Sequence, residues 1–471
     1  MTGTPDTTGT PGTPGTTATT PGLDRRLLAV AGVLTLGAFA ALLDGTIVGV
    51  ATHTLARTFS ADLAATQWVT TAYLLALAAV IPATGWAAQR YGAGTAWAAS
   101  LAVFLAGSIL CGTAWSLGSL VAFRVVQGAG AGMLFPLSRI IVVELAGRDR
   151  LGRMMALMAI PAVLAPVLGP VVGGAILQAL SWRWAFLINV PFLAAGLALS
   201  IVYVRTPRPP GPPERLDLAG LLGVSSGLTL LIYGLTRAGE PAFVLPSAVG
   251  TLLLAACLWR AARTSGPRIV EPGLFRDRPF AASATLAFLA NFSLFAAVFL
   301  VPLLFQRAEG AGALGAGLVL APQGLGMLVA VLAAGRLVDL GGNARKIVIA
   351  GLALLAAGTL PFALTAGPLS TGSVPGTVLL VAALFVRGVG AALAVSPTMI
   401  TLYHSLPATK VPAATTANAI GQQVGAAAGT ACVAVLLQHG GFGPAFWVTL
   451  AAVVLCLLPA LFLPSSKAGT S

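Results

Sequence analysis

The feature that most constrains this chain is a succession of long apolar segments along almost its whole length. Of the 471 residues, 57% are hydrophobic and 8% are charged, with a mean hydropathy of +0.93. A water-soluble domain carries far more charge, so we expect an all-α, multi-pass membrane protein in which each helix uses roughly 20 apolar residues to cross the bilayer. Fourteen transmembrane helices are predicted, at about 27–50, 66–88, 95–115, 119–143, 155–179, 184–204, 217–236, 242–262, 280–305, 313–335, 347–367, 375–402, 414–437 and 443–463.

Basic residues are distributed unevenly between the two sides of the predicted bilayer. With the N-terminus in the cytoplasm, the outer loops hold Arg57, Arg183, Arg237 and Arg307, and the helices hold Arg124, Arg139 and Arg387. The other 19 of the 26 lysines and arginines face the cytoplasm, as the positive-inside rule requires. Membrane orientation therefore explains the net charge of +13 without nucleic-acid binding, and both termini are predicted to be cytoplasmic.

Two pairs of similar segments indicate an internal repeat. RVVQGAGAG at 124–132 is matched by RGVGAAL at 387–393, and GWAAQRYGAG at 85–94 by GRLVDLGGNARK at 335–346. This makes Arg387 the predicted counterpart of Arg124, and alternating-access transporters are often built from such repeats. The predicted domains are a disordered cytoplasmic tail (1–26), a six-helix bundle (27–205), linkers with an inserted helix pair (206–279), a second six-helix bundle (280–463) and a cytoplasmic tail (464–471).

Asp44 is the only carboxylate well inside an apolar segment. An Asp at the centre of a membrane helix costs about 2.5–3.5 kcal/mol on insertion scales, so it usually marks a functional site. Desolvation disfavours the charged form of a carboxylate, which would let Asp44 bind and release a proton at physiological pH. The alternative is a structural hydrogen bond to the surrounding Gly- and Thr-rich backbone. Gln127 lies one helical turn after Arg124, and with it Arg124 can hydrogen-bond across the cavity.

Several motifs resemble those of one transporter family. They are LDGTIVGVA (43–51), QWVTTAYLL (67–75), RVVQGAGAG, LGPVVGG (168–174) and SWRWAFLINVP (181–191), with weaker support from LFRDRPF, VPLLFQ and ANAIGQQVGAAAG. Over about residues 40–440 the chain resembles the fourteen-helix drug:proton antiporter branch of the major facilitator superfamily. The resemblance implies the major facilitator fold and proton-coupled efflux of amphipathic antibiotics, drugs or dyes. It also implies that Asp44 couples the proton and that Arg124 acts beside it.

The resemblance further implies a cytoplasmic gate. The family usually has an Asp at the position of Gln89 to brace this gate, so the N-terminal brace here is neutral, whereas the C-terminal copy keeps Arg336 and Asp339. Prolines and glycines in the fifth span predict a bendable helix with a smooth face toward the other half. Arg139 is predicted to reach the membrane interface. The predicted gating residues are Arg90, Pro166, Gly169, Pro170, Gly173, Gly174, Arg336, Asp339 and Arg387.

A site for amphipathic molecules should combine apolar walls with a few polar groups. The candidates are Trp68, Tyr73, Gln127, Asn291, Phe292, Phe295, Gln323, Asn418, Gln422 and Gln423. Each of these side chains also suits helix packing or a hydrogen bond between helices. Because the membrane region contains a single acid, we expect neutral, zwitterionic or singly charged substrates in preference to dications.

Two other functions stay open on the sequence. One is a uniporter or uptake permease for a metabolite, against which the LGPVVGG motif argues. The other is a membrane-bound enzyme or scaffold, but the sequence has no P-loop, metal-ligand cluster or nucleophile–base pair. We therefore expect no enzymatic activity, no metal and no cofactor, with the proton-motive force as the energy source. The expected partners are the lipid bilayer, a small-molecule substrate and protons, and the chain is expected to be a monomer in the cell membrane.

Overall fold

The computed structural model is almost entirely helical where it describes the chain. It describes residues 24–147, 150–204, 206, 216–237, 244–264, 266, 268–309, 318–339, 343–365, 377–404 and 406–464. No strand occurs in these ranges, which confirms the predicted all-α class. Most of the two predicted tails and much of the first predicted linker lie outside the described residues.

The N-terminal bundle consists of six long helical rods. Its helices are α1 (Arg25–Thr58), α2 (Leu63–Val80), α3 (Thr84–Tyr91), α4 (Ala93–Gly112), α5 (Leu117–Ala146), α6 (Leu151–Ala179), α7 (Trp184–Leu187) and α8 (Asn189–Tyr203). A 3₁₀ turn at Ile81–Ala83 joins α2 to α3, so the two form one membrane span. Pro82 lies in this turn, where it lacks the backbone donor that a regular α-helix would use.

The remaining helices form an inserted pair and a second bundle. They are α9 (Leu218–Thr236), α10 (Val244–Arg263), α11 (Arg278–Glu309), α12 (Ala321–Asp339), α13 (Ala344–Thr365), α14 (Thr377–His404), α15 (Val411–Gly440), α16 (Phe442–Leu455) and α17 (Leu457–Ala460). In the pair, Asp217 caps α9 by accepting from the Gly220 amide at 2.9 Å and pairs with Arg260 of α10. The Ser225 hydroxyl on α9 donates to the Ala79 carbonyl at 2.6 Å, which attaches the pair to the N-terminal bundle.

The number of membrane spans differs from the prediction. In the described residues, 12 helices are long and apolar enough to cross a bilayer. The predicted fifth and tenth spans coincide with α6 and α12, which are helical but are not among those 12. The multi-pass membrane architecture is therefore confirmed, whereas the predicted number of fourteen is not.

Glycines set the closest helix contacts in both bundles. A methyl group on Gly128 of α5 would overlap the Tyr73 carbonyl of α2, and one on Gly130 would overlap the Phe104 amide of α4. Such small residues allow membrane helices to approach backbone to backbone. The same arrangement recurs in the second bundle, where Gly388 of α14 meets the Gln323 carbonyl of α12 and Gly390 meets the Leu355 amide of α13.

These contacts correct the predicted equivalence of Arg124 and Arg387. Gly107 of α4 lies against the backbone of Gln127, and Gly358 of α13 lies in the same way against the backbone of Arg387. By this register Arg387 occupies the position of Gln127, about one helical turn beyond that of Arg124. The sequence comparison aligned the two arginines, but the packed glycines determine which residues are equivalent in space.

The two bundles meet at one end of the molecule. We call this the inner end; it is where α1 begins and is predicted to be cytoplasmic. One hydrophobic cluster there contains Leu27 and Val30 of α1 together with Tyr403, Leu406 and Val411 of the second bundle. At the outer end, described residues of the N-terminal bundle and of the C-terminal bundle form separate clusters. In this conformation the halves are therefore closed against each other at the inner end.

A glycine also lies in the closed inner contact. A methyl group on Gly85 of α3 would lie 2.9 Å from the Thr416 hydroxyl and 3.2 Å from the Pro412 carbonyl, both on α15. Gln89 lies on the same helix as Gly85. The inner closure therefore includes a tight helix contact that does not depend on a charge at position 89.

Candidate functional site

Asp44 lies in a fully buried cluster of polar side chains. Its Oδ2 accepts a hydrogen bond from Arg124 Nη1 at 2.5 Å. Its Oδ1 accepts from Gln127 Nε2 at 2.9 Å and from Asn189 Nδ2 at 2.8 Å. All four side chains have 0% exposure, and they come from α1, α5 and α8. The structure thus gives the buried acid three donors, one of which is charged.

Arg124 is held from several sides. Its Nη1 also donates to Gln127 Oε1 at 2.7 Å, and its Nε donates to the Val69 carbonyl of α2 at 2.9 Å. The guanidinium carbon lies 4.0 Å from the centre of the Tyr73 ring, a distance at which a cation is attracted to an aromatic face. Because a guanidinium stays protonated in proteins, Arg124 is a fixed positive charge beside the one group of the cluster that can change charge.

Two predicted substrate-binding residues belong to this cluster. Gln127 Nε2 donates to the Ser108 hydroxyl at 2.8 Å as well as to Asp44, and its Oε1 accepts from Arg124. Tyr73 is 3% exposed, and its hydroxyl donates to the Ala41 carbonyl at 3.2 Å. In this conformation both side chains support the Asp44–Arg124 pair, and their contact with a substrate stays a prediction.

The arrangement links protonation to structure. A carboxylate accepts hydrogen bonds at both oxygens, whereas a protonated acid must use one oxygen as a donor. With three donors already directed at Asp44, a proton on that group forces at least one partner to turn away. Removing one charge of a buried ion pair typically costs about 3–5 kcal/mol because the other charge is left unpaired. The cluster can therefore convert one protonation event into a large change in interaction energy.

Asn189 is a member of this cluster that the sequence did not identify. It lies 145 positions from Asp44 and begins α8, directly after the aromatic part of SWRWAFLINVP. Trp182 and Phe186 of that motif pack at 6.2 Å between ring centres and belong to the outer cluster of the N-terminal bundle. The motif was recognised as a family signature, and it was the available signal, but no spacing rule connects its Asn to an acid on α1.

Replacing Asn189 by alanine is expected to change the pH dependence of transport more than the fold. The substitution removes one of the three donors to the Asp44 carboxylate, so the dependence of transport on pH should differ from that of the wild type. The check is substrate flux in proteoliposomes as a function of pH, with Ser200→Ala on the same helix as the control because Ser200 donates to the Leu197 carbonyl. An unchanged pH profile with reduced activity would mean that Asn189 serves only packing.

The glycines of LGPVVGG have a different partner from the one predicted. A methyl group on Gly169 would overlap the Thr46 side chain, and one on Gly173 would lie 3.3 Å from Ile47 Cα, both on α1 of the same bundle. Contact with the other half is made by Ala156, which packs with Ala330 and Ala392. The smooth face of α6 therefore packs against the helix that carries Asp44. The side chains of Pro166 and Pro170 lie outside the described residues.

This contact predicts that the same substitution has different effects at two glycines of the motif. Gly169→Ala forces α6 away from α1, and overpacking of this kind typically costs about 1–3 kcal/mol. Gly174→Ala is the matched control, because no atom lies within 4 Å of the added methyl group. Thermal unfolding of the purified variants should show a lower unfolding temperature for Gly169→Ala alone. Equal effects of the two substitutions would contradict the contact.

The remaining gating candidates lie apart from the Asp44 cluster. Arg90 is exposed at the end of α3, Gly174 has open space, and the side chains of Arg336 and Asp339 lie outside the described residues. Arg139 donates to Gln422 Oε1 of α15 at 3.2 Å, and its position at the membrane interface stays a prediction. Because α5 and α15 belong to different halves, this hydrogen bond crosses between the bundles.

The other substrate candidates are distributed over both bundles and the inserted pair. Trp68 stacks on Tyr233 of α9 at 5.8 Å between ring centres, and Asn291 Nδ2 donates to the Ala287 carbonyl of its own helix at 2.8 Å. Asn418 and Gln422 both approach the sulfur of Met399. Phe292 and Gln423 are half-buried, Phe295 is exposed, and Gln323 is buried. No hydrogen bond of the described residues joins these side chains to Asp44, and their role in binding stays a prediction.

Comparison with known proteins identifies the family. The model of the Major Facilitator Superfamily matches residues 34–371 and 283–471. The chain belongs to the major facilitator superfamily. It is 35% identical over 424 residues to the "Multidrug resistance protein B homolog" of Mycobacterium tuberculosis, covering 88% of this chain and 77% of that protein. The predicted family is therefore confirmed, and the chain is a membrane transporter and not an enzyme.

A solved structure supports the fold independently. The proton:xylose symporter XylE, bound to 6-bromo-6-deoxy-D-glucose, superposes with a TM-score of 0.68 at 15% identity. The superposition covers 94% of this chain and 97% of XylE. At this identity the similarity concerns the fold alone, and it confirms the major facilitator architecture.

Proposed function

We propose that this protein is a proton-coupled exporter of amphipathic small molecules, such as antibiotics, drugs and dyes, across the cell membrane by alternating access. The observation that carries the proposal is the buried pair of Asp44 and Arg124, in which Asp44 is the one carboxylate with 0% exposure in the described residues. The resistance-protein name of the Mycobacterium tuberculosis relative supports the class of substrate.

The coupling step uses the geometry of the cluster. In the conformation closed at the inner end, Asp44 is a carboxylate with three donors. Protonation from the outer side weakens its bond to Arg124 and releases α1 from α5. A change from 1:99 to 99:1 between two conformations needs about 5.5 kcal/mol, and disrupting one buried ion pair supplies about 3–5 kcal/mol. One proton therefore provides most of the energy for the conformational change, and substrate binding provides the rest.

Orientation and assembly are part of the same proposal. We place both termini in the cytoplasm because 19 of 26 basic residues lie on that side. The first and second six-helix bundles move against each other around the inner contact, with the inserted pair at 206–279 between them in sequence, and one chain is the transporting unit.

Transport in proteoliposomes tests the function. Purified protein is reconstituted, a pH gradient is imposed, and the uptake of neutral or monocationic dyes is followed, with an ionophore that collapses the gradient as the control. An antiporter accumulates dye against its concentration gradient only while the pH gradient lasts. Flux that follows only the dye gradient, whatever the pH difference, would contradict proton coupling and favour a permease.

A further inference from the structure

The second bundle contains a buried guanidinium that forms no ion pair with any described residue. Arg387 is 1% exposed, and its Nη2 donates to the Ser293 carbonyl at 2.8 Å and to the Ser293 hydroxyl at 3.3 Å. Its Nε and Nη1 have no hydrogen-bond partner among the described residues. More than half of the N–H donors of this charged group are thus buried without a hydrogen-bond partner among the described residues.

Carboxylates do not account for Arg387. The ion pairs among the described residues are Asp44–Arg124 and Asp217–Arg260. Glu309 lies 16 residues beyond Ser293 on α11, which is about 24 Å along a helix. Asp339 lies 16 residues beyond Gln323 on α12, and Gln323 is the residue whose carbonyl touches Gly388. Measured along the helix axes, both acids therefore lie about 24 Å from the residues that contact Arg387 or its neighbour Gly388.

The position of Arg387 in the second bundle can be compared with the equivalent position in the first. By the glycine contacts it is the equivalent of Gln127, which donates to Asp44 on the first helix of its bundle. Arg387 donates to Ser293, on the first helix of the second bundle. In the N-terminal bundle the first helix thus offers a carboxylate, Asp44, to the donor at this position. In the C-terminal bundle the first helix offers only a serine, Ser293, to the cation Arg387.

Two ordinary explanations of a buried arginine do not fit. Snorkelling requires a nearby helix end, but Arg387 lies 10 residues after the start of α14 and 17 before its end, or about 15 and 25 Å. Loss of the proton is not available to a guanidinium in a protein. Burial of an unpaired ion is costly, so an anion that reaches Arg387 would be bound strongly.

We propose that Arg387 is the binding group for the carboxylate of monoanionic amphipathic substrates. This rests on the proposed export function and narrows its substrate class to include weak organic acids. Nε and Nη1 point to different edges of the guanidinium, so a carboxylate reaches either of them through a single charge-assisted hydrogen bond. Chloride can also accept hydrogen bonds from a guanidinium, so the test distinguishes an organic carboxylate from chloride.

Calorimetric titration of the purified full chain in detergent at pH 7.5 tests the proposal. The probes are 1-naphthoate and 1-naphthamide, which differ in charge at the same ring size, in buffers with either chloride or sulfate. The wild type should bind the acid at least about tenfold more tightly than the amide, as expected for a charge-assisted pair. Arg387→Gln should lose this preference and keep amide binding, whereas Arg387→Lys should keep part of it. Arg263→Gln, which replaces an exposed arginine at the end of α10, is the control and should behave as the wild type.

Several outcomes would overturn the proposal. One is a preference for the acid over the amide that is as large in Arg387→Gln as in the wild type. Another is the absence of this preference in the wild type. If Arg387→Gln does not fold, the absence of the preference in Arg387→Lys would also overturn the proposal. Saturation of the site by chloride, with no competition from naphthoate, would assign it to an inorganic anion instead. Because the titration uses no pH gradient, it can succeed or fail independently of proton coupling, and Asp44→Asn should still bind the acid.

Discussion

The Asp44→Asn protein is expected to fold and bind substrate but to lose all transport that is driven by a pH gradient. An asparagine has the shape of the acid but cannot exchange a proton, and its amide group presents a donor to partners that are themselves donors: Arg124, Gln127 and Asn189. Under an imposed pH gradient, accumulation of substrate against its concentration gradient should fall to the level of protein-free vesicles. Downhill exchange of substrate should continue.

Asp62→Asn provides the matched control for this experiment. Asp62 caps α2, where its Oδ1 accepts from the Ala65 amide at 2.5 Å in an exposed position. Asparagine is also a good N-cap residue, so Asp62→Asn should transport like the wild type. Uphill transport by Asp44→Asn at the wild-type rate would show that another group carries the proton.

Arg124→Gln is expected to have a large effect on stability. It leaves the Asp44 carboxylate buried with only the two amide donors, and an unpaired buried charge costs about 3–5 kcal/mol. Adding Asp44→Asn to Arg124→Gln removes that charge and should restore much of the lost stability without restoring transport. Thermal unfolding of the wild type, both single variants and the double variant forms a cycle that isolates the pair energy.

Arg139→Gln is the control for the loss of an arginine as such. Its guanidinium is half-buried and bonds to a neutral amide of α15, so its replacement leaves no unpaired charge and should destabilise less. If the effects of Arg124→Gln and Asp44→Asn simply add in the double variant, the two side chains do not interact in the folded protein.

The sequence was sufficient for features that depend on local spacing or on composition. Hydropathy predicted the helical membrane class, and burial cost identified Asp44 and Arg124. The spacing of Arg124 and Gln127 predicted that they share a helix face, and the structure adds the hydrogen bond between them. The motifs predicted the family. Roles in coupling, gating and binding stay predictions that need the experiments above.

Features that depend on packing between distant segments were not predictable in this way. Asn189 reaches Asp44 from 145 positions away, and no periodicity connects them. Gly169 was expected to face the other half but packs on Thr46. The partner of Arg139 is Gln422 on the other bundle, and the position of Arg139 late in its span gives no indication of this partner. Desolvation of Asp44 was foreseen, whereas the three donors that offset it were not.

Proton release from the purified protein in detergent tests the central claim most directly. Dyes and antibiotics are added to lightly buffered wild type and Asp44→Asn, and the pH change is recorded. We predict that at least one compound releases protons from the wild type, and that the same compound releases none from Asp44→Asn although it still binds. Release of equal size from both proteins would contradict the assignment of Asp44 as the coupled carboxylate.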